Sequence, residues 1–223
     1  MAGVIGVDEA GRGPVLGSMF VAALAVPDRT DLPGEVADSK GLTDGTRRSI
    51  YRRLESDSLV ETAVIEVPPA EIDSNPGGLL ELVVDAFAAA IDGLDRPGWP
   101  AVLDAGEANV QRFARRVGSA LDDDREVRAA VRADEDDPVV SAASIVAKEH
   151  RERHVEQLHE RYGDVGSGYP ADPATRAFLA AHVRSEGSLP ACARRCWRTS
   201  RDLLAAAEQA ELDRFVDGPR GGG

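Results

Sequence analysis

The sequence predicts an α/β fold: a mixed five-stranded sheet flanked by helices, followed by a helical C-terminal extension. Three observations carry this. Short apolar runs bounded by Gly and Pro read as buried strands. Several of those runs alternate with stretches of helical apolar spacing, which implies parallel pairing beside the first strand. From Pro138 onward only helical spacing is found.

Gly3–Pro14 (GVIGVDEAGRGP) opens with an apolar run, then two acids, Asp8 and Glu9, then a loop with Arg12 between Gly11 and Gly13. Two carboxylates at a sheet rim suit a hard divalent cation. The glycines let backbone approach a ligand beside a guanidinium. Val15–Val26 is a second apolar run, read as an antiparallel return. Thr43 caps an amphipathic helix over Asp44–Ser56 that buries Ile50, Tyr51 and Leu54. Leu59–Val67 is a third strand, closed by Pro68-Pro69. Gly77–Leu94 and Val110–Leu121 have helical spacing. Ala101–Leu103 is a strand leading into Asp104, and Glu126–Val131 is a strand running into Ala133-Asp134.

Helices are expected over Val139–Tyr162, Ala174–Arg184 and Cys196–Val216, the last stopped by Asp217-Gly218-Pro219. The long helix begins with small residues, among them Ser141 and Ser144, suited to packing near the acidic rim or to lining a cleft. Expected bounds are a principal domain over 1–165, a helical region over 166–216 and a disordered tail over 217–223.

The 223 residues carry 39 acids against 26 bases, a formal net charge of -13. Only Lys40 and Lys148 are lysines; every other base is Arg. Such an acid-rich, Lys-poor composition is that of a chain adapted to high salt, where acidic surface keeps the molecule hydrated. It therefore says little about nucleic-acid partners. No run is apolar enough for a membrane span, and a cytoplasmic location is expected. Cys192 and Cys196 make neither a disulfide framework nor a four-ligand zinc site and read as reduced and structural. His150 and His154 have a spacing that suits either a metal or a solvated helix face.

Three strands in this reading end in acids: Asp8-Glu9, Asp104 and Asp134. Parallel strands bring their C-terminal ends to one edge, so these carboxylates could converge. Converging carboxylates repel unless cations sit between them. Without a His cluster or a Cys set, those cations should be Mg²⁺ or Mn²⁺. Two ions about 3.5–4 Å apart can clamp both oxygens of an in-line phosphoryl displacement. Three unrelated strand ends in an acid-rich chain are the alternative.

GVDEAGRGP, DSKGLT, LDA at 103–105, AD at 133–134 followed by PVVSAASIVAK, and GSGYPADPATRAFL resemble ribonuclease HII, the archaeal type in particular, over nearly the whole chain. The resemblance implies a ribonuclease H-like fold whose catalytic domain is 1–165. It implies endonucleolytic cleavage of RNA in RNA–DNA hybrids and incision at ribonucleotides embedded in duplex DNA, leaving 3′-hydroxyl and 5′-phosphate ends. Asp8, Glu9, Asp104 and Asp134 would be the catalytic set holding two divalent ions. Gly11, Arg12 and Gly13 would read the 2′-hydroxyl, Tyr169 would stack on the next sugar, and Lys40 and Lys148 would hold phosphates. Asp134 follows Val131-Arg132-Ala133 where the family commonly has His-Lys-Ala. Near the end, Gln209, Leu212 and Phe215 are similar to a segment that docks on the replication sliding clamp, with Val216 in place of a second aromatic. Nothing suggests more than a monomer. Another ribonuclease H-like nuclease, such as a junction resolvase, and a non-catalytic nucleic-acid or clamp-binding module are the competing readings.

Overall fold

The computed structural model describes the backbone over residues 3–38 and 43–216, and side chains over 3–36 and 43–210. Five strands, β1 (Val4–Ala10), β2 (Met19–Val26), β3 (Glu61–Val67), β4 (Ala101–Asp104) and β5 (Val127–Ala130), form one sheet in the order β3-β2-β1-β4-β5. The β1–β2 and β2–β3 pairs are antiparallel, and β1–β4 and β4–β5 parallel. The mixed sheet expected from the sequence is therefore observed. The helices are α1 (Asp44–Ser56), α2 (Pro69–Ser74), α3 (Gly78–Asp92), α4 (Val110–Ala120), α5 (Ala133–Asp136), α6 (Pro138–Tyr162), α7 (Pro173–Glu186) and α8 (Arg198–Val216). Among the described residues no helix is long and apolar enough to cross a membrane.

The chain forms two compact units. Among the described residues, the first falls within 1–12, 19–67 and 75–153 and the second within 13–18, 68–74 and 154–216. The division between 153 and 154 falls within α6, and two short earlier segments join the second unit.

In the first unit, β2 is buried along its whole length because both faces of the sheet are covered. One face packs Val4, Ala22, Leu24 and Val26 against Ile50, Tyr51 and Leu54 of α1 and Val139, Ala142, Ala143 and Val146 of α6. Gly6 allows this close approach: a Cβ there would lie 2.3 Å from the Val139 carbonyl carbon. Helix α3 covers the other face. At its end, the Cβ that Gly93 lacks would lie 3.1 Å from Cβ of Ala63, which pairs with Ala23 of β2. Phe87 of α3 meets Phe113 of α4 edge-on, ring centroids 5.2 Å apart. The partial exposure of β3 and the alternating exposure of β5 fit their edge positions.

In the second unit, Val15, Leu16, Leu158, Val165, Leu179, Val183 and Leu189 form a separate core. Its polar centre is Arg194, fully buried, which donates from Nε to the Gly17 carbonyl at 2.9 Å and stacks over the Trp197 ring. Its backbone N–H donates to the Val15 carbonyl at 2.9 Å, beside a bridge between Leu16 and Ala193.

Several expectations are corrected. The run Val15–Val26 is not one strand: β2 begins at Met19, and Val15–Gly17 are held by the Arg194 segment instead. Pro68-Pro69 closes β3 as expected and in addition leads into α2. Asp134 does not end a strand; it lies in α5, after Arg132 turns the chain in the left-handed region at φ 57. Cys192 and Cys196 precede α8 and are not on a helix; Cys192 is buried and Cys196 exposed. His150 packs against Phe20 and Tyr51, whereas His154 accepts the Ser18 N–H at Nε2, 3.1 Å. Neither reading of that histidine pair survives: both rings have protein partners. Lys40 lies outside the described residues, as do the side chains of Leu212 and Phe215 and the tail 217–223.

Candidate active site

The acids of the first unit are placed by strand register. In the parallel pair β1–β4, Val7 lies beside Leu103, so the next residue of each strand is an acid, Asp8 and Asp104. Register puts these two side by side on one face. It is the face of Gly6 and Val102 that packs against α6. Asp8 is buried, and so is Ser144 of α6, whose hydroxyl has no hydrogen-bond partner. Alternation turns Glu9 to the opposite face, where its Oε1 lies close to Gly106 and to Arg12.

Burial, then the neighbouring Glu9 charge, pushes the Asp8 carboxyl well above the usual carboxylate range; the Ser144 hydroxyl works the other way. Burial also raises Glu9 against the pull of Arg12. Asp104 is raised by burial and by Asp134, and lowered by the Ala133 N–H that its Oδ1 accepts at 2.7 Å. Carboxylates raised in the folded state cost stability as pH climbs through their titration. A positive charge among them removes that cost.

The donor set fits a hard cation. It is all oxygen, and Glu9 Oε2 is buried with no hydrogen-bond partner. Among the described residues no three His, Cys, Asp or Glu side chains converge enough to enclose an ion. Asp134 is instead paired with Lys148 of α6, Nζ to Oδ2 3.8 Å. Arg29 grips Asp137 with two bonds, at 3.2 and 2.7 Å, and Asp137 Oδ1 accepts the Val139 N–H, so the turn carrying Asp134 is pinned to the start of α6. Ser141 does not face a cleft; its hydroxyl donates to the Val36 carbonyl at 2.8 Å.

Arg12 follows Gly11, whose φ of 83° turns the chain out of β1. The guanidinium lies 3.4 Å from Glu9 Oε1, 3.5 Å from the Gly106 carbonyl and 3.5 Å from Glu107 Oε1. Glu107 had no distinguishing mark in the sequence, being one acid among many.

The second unit holds Gly13 and Tyr169. Tyr169 is exposed, and a Cβ on Gly13 would sit 3.6 Å from its Cε1. The loop bearing Tyr169 is fixed by the residues around it. Gly168 accepts the Val15 and Leu16 N–H groups at its carbonyl, and its own N–H donates to Thr175 Oγ1 at 2.9 Å. Asp172 caps α7 through the Ala174 N–H and takes the Ser167 N–H at 2.6 Å; the Ser167 hydroxyl, then these backbone bonds, pull its carboxyl down to about 2. A depressed carboxyl stabilises above its unfolded pKa and loses that effect as pH falls toward its folded value. Asp172→Asn is therefore expected to lower the melting temperature at pH 7, with the gap to the native chain closing between pH 4 and pH 2. Differential scanning calorimetry across that range checks it, and a gap that does not narrow contradicts it.

A family model described as Ribonuclease HII matches residues 5–200. The chain belongs to the ribonuclease HII family. It is accordingly a type 2 ribonuclease H, hydrolysing RNA in RNA–DNA hybrids. It is 48% identical over 215 residues to a ribonuclease HII of the halophilic archaeon Natronomonas pharaonis, covering 96% of this chain and all of that one. The crystal structure of ribonuclease H2 from Pyrococcus horikoshii superposes with a TM-score of 0.85 at 34% identity, covering 93% of this chain and 99% of that one. The RNase HII of a PCNA:RNase HII complex from Archaeoglobus fulgidus superposes with a TM-score of 0.79 at 34% identity, covering 88% and 95%. These matches bear out the ribonuclease H-like fold.

Proposed function

We propose that this ribonuclease HII incises duplex DNA at single embedded ribonucleotides as well as cutting hybrids, with two divalent cations, Mg²⁺ or Mn²⁺, held by Asp8, Glu9, Asp104 and Asp134. When bound, such cations supply Lewis-acid stabilisation of the attacking and leaving oxygens. The protein's own contributions are positional. Asp8 and Asp104 are fixed by the β1–β4 register, and Lys148, once Asp134 is engaged elsewhere, can turn its ammonium to a phosphate. Gly11, Arg12 and Gly13 read the 2′-hydroxyl, the group that distinguishes RNA from DNA. Products carry 3′-hydroxyl and 5′-phosphate ends. All four acids fall within 1–165, and the helical region 166–216 supplies Tyr169. Lys40 is proposed to hold phosphate on the resemblance alone.

The observation that carries the ribonucleotide reading is the Tyr169 ring beside Gly13, an exposed aromatic anchored on a motif glycine rather than in a core. Aromatic stacking on a nucleotide contributes about 1–3 kcal/mol. Tyr169→Ala is thus expected to lower kcat/KM on a duplex with one ribonucleotide by about tenfold to hundredfold, while Tyr169→Phe keeps most of it. Steady-state cleavage with unchanged melting temperatures tests this; an Ala variant as active as the native enzyme overturns it.

A second reading concerns the end of α8. The Archaeoglobus relative is described in complex with PCNA, and Gln209, Leu212 and Phe215 of this chain fit a clamp-docking spacing. We infer that this segment docks on the sliding clamp. Titration of the full chain into the cognate clamp should give heat that Phe215→Ala abolishes; equal binding by that variant refutes the assignment.

A further inference from the structure

Three acceptors share the Arg12 guanidinium in the first unit: Glu9 Oε1 at 3.4 Å, the Gly106 carbonyl at 3.5 Å and Glu107 Oε1 at 3.5 Å. All lie at the long end of hydrogen bonding, so none of the three fixes the side chain by itself. Position 106 is shaped around this seat. A Cβ there would lie 2.4 Å from Arg12 Nη1 and 3.0 Å from Glu9 Oε1. Glu107 stands opposite Glu9 across the same guanidinium and bears no part in the proposed catalytic set.

We propose that Glu107 is a positioning residue that holds Arg12 partly off Glu9. This rests on the reading of Glu9 as a cation ligand and of Arg12 as the group that reads the sugar. Without Glu107 the guanidinium loses the carboxylate at its Nη2 and is drawn toward Glu9 Oε1 at its Nη1. A tighter Arg12–Glu9 pair has two consequences. A divalent cation must displace more attraction to reach Glu9, so it binds more weakly. Arg12 is also drawn back from the position in which it meets a 2′-hydroxyl, so the KM for a ribonucleotide-containing duplex rises.

Simple loss of one negative charge would also weaken a cation, and a mutant cycle through Arg12 separates the two effects. Mn²⁺ alone is titrated by calorimetry into the full chain without nucleic acid, for the native protein, E107Q, E107D, R12A and R12A/E107Q. Glu107→Gln should weaken Mn²⁺ about threefold to tenfold, a span set by pairwise coupling of neighbouring charges. Glu107→Asp should restore most of the affinity, and E107Q should cost clearly less in the R12A background than in the native one. At saturating Mn²⁺, E107Q should raise KM on an embedded-ribonucleotide duplex with kcat little altered. An E107Q affinity within twofold of native, or an equal loss with and without Arg12, overturns the role of Glu107. A native enzyme that fails to cut the embedded ribonucleotide would instead remove the reading on which the role rests.

Discussion

Asp8→Asn should lower cleavage of an RNA–DNA hybrid by at least about a thousandfold, the scale on which a preorganised electrostatic group acts, and leave the fold intact. The metal-free variant should also melt higher than the native chain. Asp8 is buried beside Glu9 and next to Asp104 in register, and its charged form is disfavoured there. An amide of the same shape removes that charge. A gain of about 1 kcal/mol would raise the melting temperature by roughly 2–4 °C for a chain of this size. Saturating Mg²⁺ or Mn²⁺ should reverse the ranking, because a ligand at about one hundred times its Kd stabilises the native chain by about 2.7 kcal/mol and binds the variant less well. An Asp8→Asn enzyme that still cuts, or one that melts lower without metal, contradicts the placement of this carboxylate.

Gly6→Ala is expected to be strongly destabilising. The added carbon would lie 2.3, 2.4 and 2.5 Å from the Val139 carbonyl carbon, its oxygen and the Val140 nitrogen. These are backbone atoms at the start of α6 and cannot rotate away. Overpacking of this kind costs about 1–3 kcal/mol or more, so the urea midpoint should fall by roughly 1 M or more at an ordinary slope. Gly34→Ala, with nothing within 4 Å of the new carbon, is the matched control. Equal midpoints for the two variants would contradict the packing of α6 on β1. The shift matters for function because α6 carries Lys148 to Asp134.

The sheet was legible because its strands are apolar runs that end where Gly, Pro or acids begin. Helix α1 was legible to the residue, since Thr43 supplies the cap and Ile50, Tyr51 and Leu54 the buried stripe. What the sequence did not show depends on partners far along the chain. Val15–Val26 reads as one run because nothing local announces that Arg194 will bind the Val15 and Gly17 carbonyls. Asp134 looks like a strand end because the left-handed turn at Arg132 and the Asp104–Ala133 bond are tertiary events. Asp8 and Glu9 alternate in side-chain direction along β1, yet burial and neighbouring acid charge raise both carboxyls, a coupling that depends on Asp104 of β4 and is not local to the motif. His150 and His154 suggested a helical pair until the rings were seen to serve Tyr51 and Ser18 separately.

The most direct test of the central claim is cleavage of a DNA duplex with one embedded ribonucleotide, the cut mapped to the nucleotide, with Mg²⁺, Mn²⁺ or a chelator, across KCl concentration. The account predicts a single cut at the ribonucleotide leaving 3′-hydroxyl and 5′-phosphate ends, with none in the chelator and none for Asp8→Asn. Cutting that persists in the chelator, or an all-DNA duplex cut equally well, would contradict it.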